Sequence, residues 1–425
     1  MKVFKFGGAS VNSVERIKNI AGILGNYSND RMVIIISAMG KTTNALEKVA
    51  EAFFENNATK ALELFEEVKN QHLTTAHNLL AVNYNLCKED LSSFFTEAEW
   101  LLHDKPVRSF DYYYDQIVSI GELLSTCIVS HYLNEINIVN TWLDVRDIIR
   151  TDNNFRDASI DWNITENKLS LAFQENVKNN KDSLQRIYIT QGFIGATDDN
   201  ETTTLGREGS DYTAAVFANL LNAESLTIWK DVEGVMNADP KQFKDAQLIA
   251  ELNFEEVIEM AFYGAQVIHP KTIKPLQNKQ IPLFVKCFLD ASLPGTVIHN
   301  KNIKQLPPII VVKDNQVLMH LHSQDFSFVG EKPMIYLYDL FSLIKIKPNL
   351  IQTGAISVQI CLDNKEEKLE ELATKASTIF DVQLQKQLTL ITIRNYNKEI
   401  IERIVGERKV LLQQQTSNTF QALCF

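Results

Sequence analysis

The chain is predicted to be an α/β protein with a mainly parallel central sheet, followed by ferredoxin-like β-α-β-β-α-β units. Three observations carry this. From residue 1 to about 296, short runs rich in Val and Ile alternate with amphipathic helical stretches. That is the pattern of a sheet covered by helices on both faces. Residues 44–104 interrupt the alternation with helical periodicity alone. Near residue 300 the segment Asn300-Lys301-Asn302-Ile303-Lys304-Gln305 leads into Pro307-Pro308. This is a linker signature, and the pattern changes beyond it.

Residues 3–6, 32–37, 136–141, 186–191, 225–229 and 281–286 read as buried strands, and 13–24, 211–221 and 253–263 as helices. The stretch 44–104 reads as a helical insertion at the sheet edge, a flap or subunit contact in which nothing looks chemical. Its Ala61-Leu62-Leu64-Phe65-Val68 and Phe94-Phe95-Ala98-Leu101-Leu102 spacings mark buried helix faces. Beyond the linker come strand 317–322, helix 331–345, strands 349–352 and 355–362, helix 364–377 and strand 379–384. That order makes one ferredoxin-like unit. Strand 388–394, helix 397–407 and strands 409–415 and 419–425 begin a second, which lacks its last helix and strand. Residues 309–312 are expected to pair there and nest the first unit inside the second. The expected division is 1–298 and 299–425.

Of 425 residues, 45% are hydrophobic and 22% charged, and the net charge is −11. An acidic chain has no bulk electrostatic grip on nucleic acid or anionic lipid. No apolar run approaches the ~18 residues that span a bilayer, and Gly7-Gly8 arrives before any signal-peptide core. Cysteines 87, 127, 287, 361 and 424 are scattered without a Cys-x-x-Cys, and the histidines make no metal-ligand spacing. Neither a disulfide framework nor a zinc site is expected, and a reducing cytoplasm is the default setting.

Glycine is scarce, 16 in 425, and nine fall where strands end or helices begin. Lys5-Phe6-Gly7-Gly8-Ala9-Ser10 is one such place: two glycines and a helix start suit an anion, with Lys5 adding a full charge. The bland reading is a surface lysine beside a turn. Gly40-Lys41-Thr42 is not a P-loop, since Ile35 stands where its first glycine belongs. In Ser37-Ala38-Met39-Gly40-Lys41-Thr42-Thr43-Asn44, Ser37 and Thr43 either bind a polar substrate or cap the next helix. Glu122 sits among Val118, Leu123, Leu124 and Ile128. A carboxylate there needs a partner, either a substrate ammonium or a structural Arg or Lys.

The densest cluster is Thr202-Thr203-Thr204-Leu205-Gly206-Arg207-Glu208-Gly209-Ser210-Asp211-Tyr212-Thr213-Ala214-Ala215. Arg207 between glycines has little packing reason to be there and suits a carboxylate, while Ser210 or Asp211 is expected to cap the helix. Trp229-Lys230-Asp231-Val232-Glu233-Gly234-Val235-Met236-Asn237-Ala238-Asp239-Pro240-Lys241 follows a strand, where parallel sheets bind ligands. Asp231 and Asp239 can organise a metal-nucleotide or simply the loop, and Lys230 and Lys241 can meet phosphates. His269, before Pro270, reads as structural.

Together these segments resemble the aspartokinase branch of the amino-acid kinase family, from Lys5 to about Thr296, and the C-terminal units resemble ACT domains. The resemblance implies a three-layer amino-acid kinase domain that uses ATP and Mg²⁺ to phosphorylate L-aspartate on its side-chain carboxylate. It implies that Lys5, Gly7 and Gly8 stabilise the transferring phosphoryl and that Asp211 orients Lys5 or the substrate ammonium. Arg207 and Glu122 would hold the α-carboxylate and ammonium of aspartate, with Ser37, Thr43 and Phe193 shaping the pocket. Lys5, Gly8, Ser10, Lys230, Asp231, Met236, Lys241 and Gln266 would line the nucleotide site, with no protein-bound metal. It further implies a homodimer or larger homo-oligomer through the ACT region, and a lysine or threonine effector. Departures from the family are Ala9, Glu208, Lys230, Met236 and Gln266. A cation expected at position 266 is missing and one is gained at 230, so the charge is read as having migrated. The alternatives are a sister kinase acting on glutamate, acetylglutamate or UMP, and a catalytically impaired amino-acid sensor.

Overall fold

The computed structural model describes residues 1–179, 186–265, 267–303 and 305–425. The chain divides into two compact units. Unit 1 comprises Met1–Val235, Leu248–Ile258 and Ile268–Ile303; unit 2 comprises Met236–Gln247, Glu259–Val267 and Lys304–Phe425.

To residue 299 the elements are β1 (Lys2–Phe6), α1 (Val14–Gly25), β2 (Met32–Ile36), α2 (Thr42–Phe54), α3 (Ala58–Leu79), α4 (Tyr84–His103), α5 (Phe110–Val118) and α6 (Ile120–Glu135). There follow β3 (Thr141–Leu143), α7 (Trp162–Asn179), β4 (Ile187–Gln191), β5 (Ile194–Ala196), β6 (Thr202–Thr204) and α8 (Gly209–Leu220). The last are β7 (Ser225–Lys230), β8 (Glu251–Asn253), α9 (Phe254–Tyr263), α10 (Pro270–Lys279), β9 (Leu283–Cys287) and β10 (Thr296–His299). The sheet order is β3-β4-β2-β1-β7-β9-β10-β8, parallel throughout except where β10 runs against β9. Every residue of β2 and β4 is buried, because helices cover both faces and the strand needs no polar alternation. Phe6 stacks on Trp229 with centroids 6.0 Å apart, and Phe288 meets Phe6 edge-on.

The strand expected over 136–141 is displaced. The chain leaves α6 through Asn137 at φ 63°, Ile136 stays exposed, and pairing begins only at Thr141. The insertion is helical as expected: α3 packs on α2 and α4, and α4 on α6. Phe94 of α4 also reaches Trp142 of edge strand β3. Among the described residues no helix is long and apolar enough to cross a membrane.

Unit 2 adds β11 (Ile309–Ser323), α11 (Glu331–Ile344), β12 (Pro348–Thr353), β13 (Ser357–Asp363), α12 (Glu366–Ala376), β14 (Phe380–Arg394), α13 (Lys398–Val405), β15 (Val410–Gln415) and β16 (Thr419–Cys424). Its sheet is antiparallel, in the order β12-β13-β11-β14-β16-β15. The segments 309–312 and 317–322, expected as separate strands, are one 15-residue strand, as are 379–384 and 388–394. Each keeps going because the break between its halves is absorbed by a register shift after Lys313 and by Asn315 and Gln387 in the left-handed region. Ile309 pairs with Arg394 and Val312 with Ile391. Leu337, Phe341, Leu369 and Leu372 cover one part of the sheet. Ile400 and Val405 cover the other, together with Ala238, Phe243 and Ala246 of the segment Met236–Gln247. The Ile310 N–H donates to the Asn237 carbonyl at 2.7 Å.

Candidate active site

The carboxyl ends of β1, β2 and β7 open into one cavity of about 560 Å³. Lys5, in register between Ile35 and Ile228, points its ammonium there. The turn after β1 hugs its neighbour. A Cβ on Gly8 would sit 2.7 Å from the Ala38 carbonyl oxygen, so only glycine lets the two loops touch. Lys5 Nζ lies 2.6 Å from Asp211 Oδ1 with both side chains nearly buried. Burial alone would raise the Asp211 pKa, but the charges of Lys5 and then Lys230 outweigh it and hold the carboxyl below its ordinary range.

Glu122 is buried in the first turn of α6. Oε1 accepts the Ala38 N–H at 3.3 Å, and Oε2 has no partner. Burial pushes its pKa up to about 8, against the smaller opposing effect of the Ala38 N–H. The structural Arg or Lys considered as its partner is absent: no cation among the described residues pairs with it. Arg207 is exposed at the same cavity, and no carboxylate among the described residues pairs with it. An unpartnered carboxyl and an unpaired guanidinium thus line one cavity.

The first turns of three helices line this volume, through Thr43 of α2, Glu122 of α6 and Gly209, Ser210 and Asp211 of α8. Their unpaired N–H groups and dipoles favour an anion. The expectation that Ser210 or Asp211 caps α8 is corrected, because both lie inside its first turn. Glu208 holds the cap position at φ 55° without a side-chain cap bond, and Asp211 is taken by Lys5. Nor does a Ser or Thr cap α2; Lys41 stands there, without a side-chain cap bond, and Thr43 lines the cavity instead. Glu208 Oε2 accepts the His269 N–H at 2.9 Å, while His269 Nδ1 accepts the Lys271 N–H and caps α10, a structural role.

Phe193 stands at φ 75°, and its N–H donates to Thr213 Oγ1 at 3.0 Å. The preceding Gly192 seats this turn on α8, since a Cβ there would lie 2.5 Å from the Ser210 Cβ. Gly192→Ala is therefore expected to cost about 1–3 kcal/mol through forced displacement, read as a lowered midpoint in urea. An unchanged midpoint would show that α8 can retreat freely.

Of the residues singled out in the sequence, the cavity gathers Lys5, Ser37, Thr43, Glu122, Phe193, Arg207, Asp211 and Lys230. Gly7 lies beside it, where a Cβ would be 3.4 Å from Lys5 Nζ. Gly8, Ser10 and Asp231 do not line it; Ser10 is buried and Asp231 exposed. Met236 and Lys241 belong to the Met236–Gln247 segment of unit 2. Gln266 lies outside the described residues.

Sequence reasoning missed Tyr114 and Arg156, which also line the cavity. Arg156 sits at φ 69°, its guanidinium 4.3 Å from the Tyr114 ring centroid and 3.3 Å from Asp111. Its N–H donates to Asp115, whose pKa is pushed up to about 6 by burial against its Arg156 and Thr204 hydrogen bonds. The only signal was the turn-rich run Asp152-Asn153-Asn154-Phe155-Arg156-Asp157, which contains no chemical motif.

A sheet of this order, with a lysine and a glycine turn at its carboxyl end and a carboxyl and a guanidinium lining the same cavity, is that of a small-molecule kinase. The chain belongs to the amino acid kinase family, whose model matches residues 1–287. Within that family the resemblance is to aspartokinases. The chain is 30% identical to lysine-sensitive aspartokinase 3 of Escherichia coli over 405 residues, 92% of this chain and 86% of that one. It is 30% identical to chloroplastic aspartokinase 2 of Arabidopsis thaliana over 428 residues, covering 95% and 76%. The structure of Escherichia coli aspartokinase III with aspartate and ADP superposes with a TM-score of 0.81 at 27% identity, covering 100% of this chain and 96% of that one. The form with lysine and aspartate gives 0.82 at 28%, covering 100% and 95%.

Proposed function

We propose that this chain is an aspartate kinase, transferring the γ-phosphoryl group of ATP to the side-chain carboxylate of L-aspartate and releasing 4-phospho-L-aspartate and ADP. This is the first step toward the aspartate family of amino acids, in a cytoplasmic setting. The carrying observation is the pair of unpartnered groups at one cavity: the Glu122 carboxyl for the substrate ammonium and Arg207 for its α-carboxylate. The similarity to an aspartokinase solved with aspartate and ADP supports the same reading.

The substrate carboxylate is itself the nucleophile, so the protein need only align it and neutralise charge on the transferring group. Lys5 and the Gly7-Gly8 amides serve that charge, Asp211 orients Lys5, and Ser37, Thr43 and Phe193 shape the amino-acid pocket. Lys230, at the cavity, is assigned to the nucleotide, with Ser10, Asp231, Met236 and Lys241 as further candidates outside its lining, and Gln266 as another. The cavity carboxylates are Glu122, Glu208 and Asp211. The first is held for the ammonium, the second takes the His269 N–H and the third is paired to Lys5. Mg²⁺ therefore fits best as a passenger on the nucleotide phosphates, and no residue here is assigned to it.

An ATP-dependent hydroxamate assay with aspartate, glutamate and acetylglutamate in parallel tests the substrate. Turnover with aspartate alone is expected, and turnover with acetylglutamate but not aspartate would overturn the assignment, since that substrate has no ammonium for Glu122. Lys230→Thr is expected to raise the KM for ATP about tenfold, the worth of one phosphate contact of about 1.4 kcal/mol. Unchanged KM and kcat would remove the idea that Lys230 replaces the cation missing at position 266.

We read residues 1–298 as the catalytic domain and 299–425 as two interleaved ACT-like units that answer to lysine or threonine. The outer strands β12 and β15 offer sheet edges for a homodimer. Sedimentation giving only a 48.4 kDa species at micromolar concentration would exclude it.

A further inference from the structure

The helical insertion, which the sequence presents as featureless, carries a cluster of soft ligands away from the cavity. Cys87 is near the start of α4, and Cys127 and His131 lie four residues apart on α6. Both sulfurs and a ring nitrogen of His131 lie within 4.8 Å of one another. The Asp90 carboxylate, one turn beyond Cys87, accepts from His131 Nε2 at 2.7 Å. The two helices are also tied at this end, since the Glu135 carboxylate of α6 takes the N–H groups of Ala81, Val82 and Asn83 ahead of α4, at 2.8–3.0 Å. The site is therefore held by its scaffold before any ligand arrives.

We propose that Cys87, Cys127 and His131 bind a single zinc ion, with Asp90 fixing the imidazole from behind. Tetrahedral zinc with bonds of about 2.3 Å to sulfur sets its sulfurs about 3.8 Å apart, within a small side-chain adjustment of the arrangement present. With Nε2 held by Asp90, Nδ1 is the ligating nitrogen. A carboxylate behind a metal-bound imidazole is the usual supporting contact in such sites. Two thiolates and an imidazole select a soft divalent ion over Mg²⁺ or Ca²⁺, so this ion is separate from the one that accompanies the nucleotide. Both cysteines are buried and His131 is partly exposed, which leaves an entry path from the histidine side. The ion would staple the insertion to α6, the helix that carries Glu122 one turn and a half before Cys127.

The test uses the full chain, stripped with a chelator and titrated with Co²⁺ and then Zn²⁺. About one equivalent of Co²⁺ is expected, with thiolate-to-cobalt charge-transfer absorption that Zn²⁺ abolishes, and a Zn²⁺-dependent rise in unfolding temperature. Cys127→Ser should remove the absorption, and Asp90→Asn should weaken affinity about 10–100-fold. His131→Gln, at a half-open position, decides the matter if the cysteine variant fails to fold. Three results would overturn the proposal: no ion bound, absorption that survives His131→Gln unchanged, or Cys87 and Cys127 recovered as a disulfide in a chain that holds no metal.

Discussion

Lys5→Met is expected to lower kcat about 10²–10³-fold, the usual loss when a charge aimed at the developing transition state is removed, with a smaller change in KM for aspartate. The variant also leaves Asp211 buried without its closest cation. Breaking one side of a buried pair costs about 3–5 kcal/mol, so a lower unfolding temperature should accompany the lost activity. The two effects are separable. In Lys5→Met/Asp211→Asn the orphaned charge is gone, so the unfolding temperature should recover while kcat stays low. A single variant that keeps more than about a tenth of wild-type kcat would show that Lys5 contributes less than ~1.4 kcal/mol to the transition state, too little for its assigned role.

Glu122→Gln is expected to divide stability from activity in the opposite sense. The folded pKa of Glu122, about 8, lies above its ordinary value of 4.5. Between these limits the folded chain keeps a proton that the unfolded chain has lost. As far as this group is concerned, the free enzyme is most stable below pH 4.5, loses stability as the pH climbs to 8, and is level above that. Glutamine never ionises, so at pH 9 the substrate-free variant should melt higher than wild type. It should nonetheless lose about 10²-fold or more in kcat/KM, because the substrate ammonium then meets a neutral amide in a buried site. Wild-type kcat/KM for aspartate should rise about tenfold per pH unit up to pH 8 and then flatten. A flat profile between pH 6 and 8 would show that Glu122 does not meet the ammonium. A variant that melts lower at pH 9 would show that its charge is compensated in the free protein.

The parallel sheet and the helical insertion were legible because their signals are local. Five consecutive buried positions in β2 and the 3.6-residue stripes of α3 and α4 need no knowledge of their partners. Lys5, Glu122 and Arg207 were legible as residues out of place: a lysine at a glycine turn, a carboxylate among aliphatics, an arginine between glycines. What failed depended on distant partners. Ser210 and Asp211 look like caps until Lys5, some 200 residues earlier, claims the carboxylate. The strand at 136–141 has the right composition, but Asn137 turns the chain first. Arg156 carries no local mark, because what distinguishes it is a ring and a carboxylate from α5. Likewise, Met236 and Lys241 read as a continuation of the loop after β7, whereas their segment packs with the C-terminal unit. Cys87 and Cys127 become neighbours only when two helices meet side by side.

The two 15-residue strands at the centre of unit 2 have a mechanical consequence. Each is a girder common to both halves, so a load applied at one end is delivered to the other along covalent backbone instead of across a soft joint. A small molecule that tightened one half would stiffen its twin at once. With both girders intact the two halves should melt as one unit, and cutting either at its midpoint should split that transition in two.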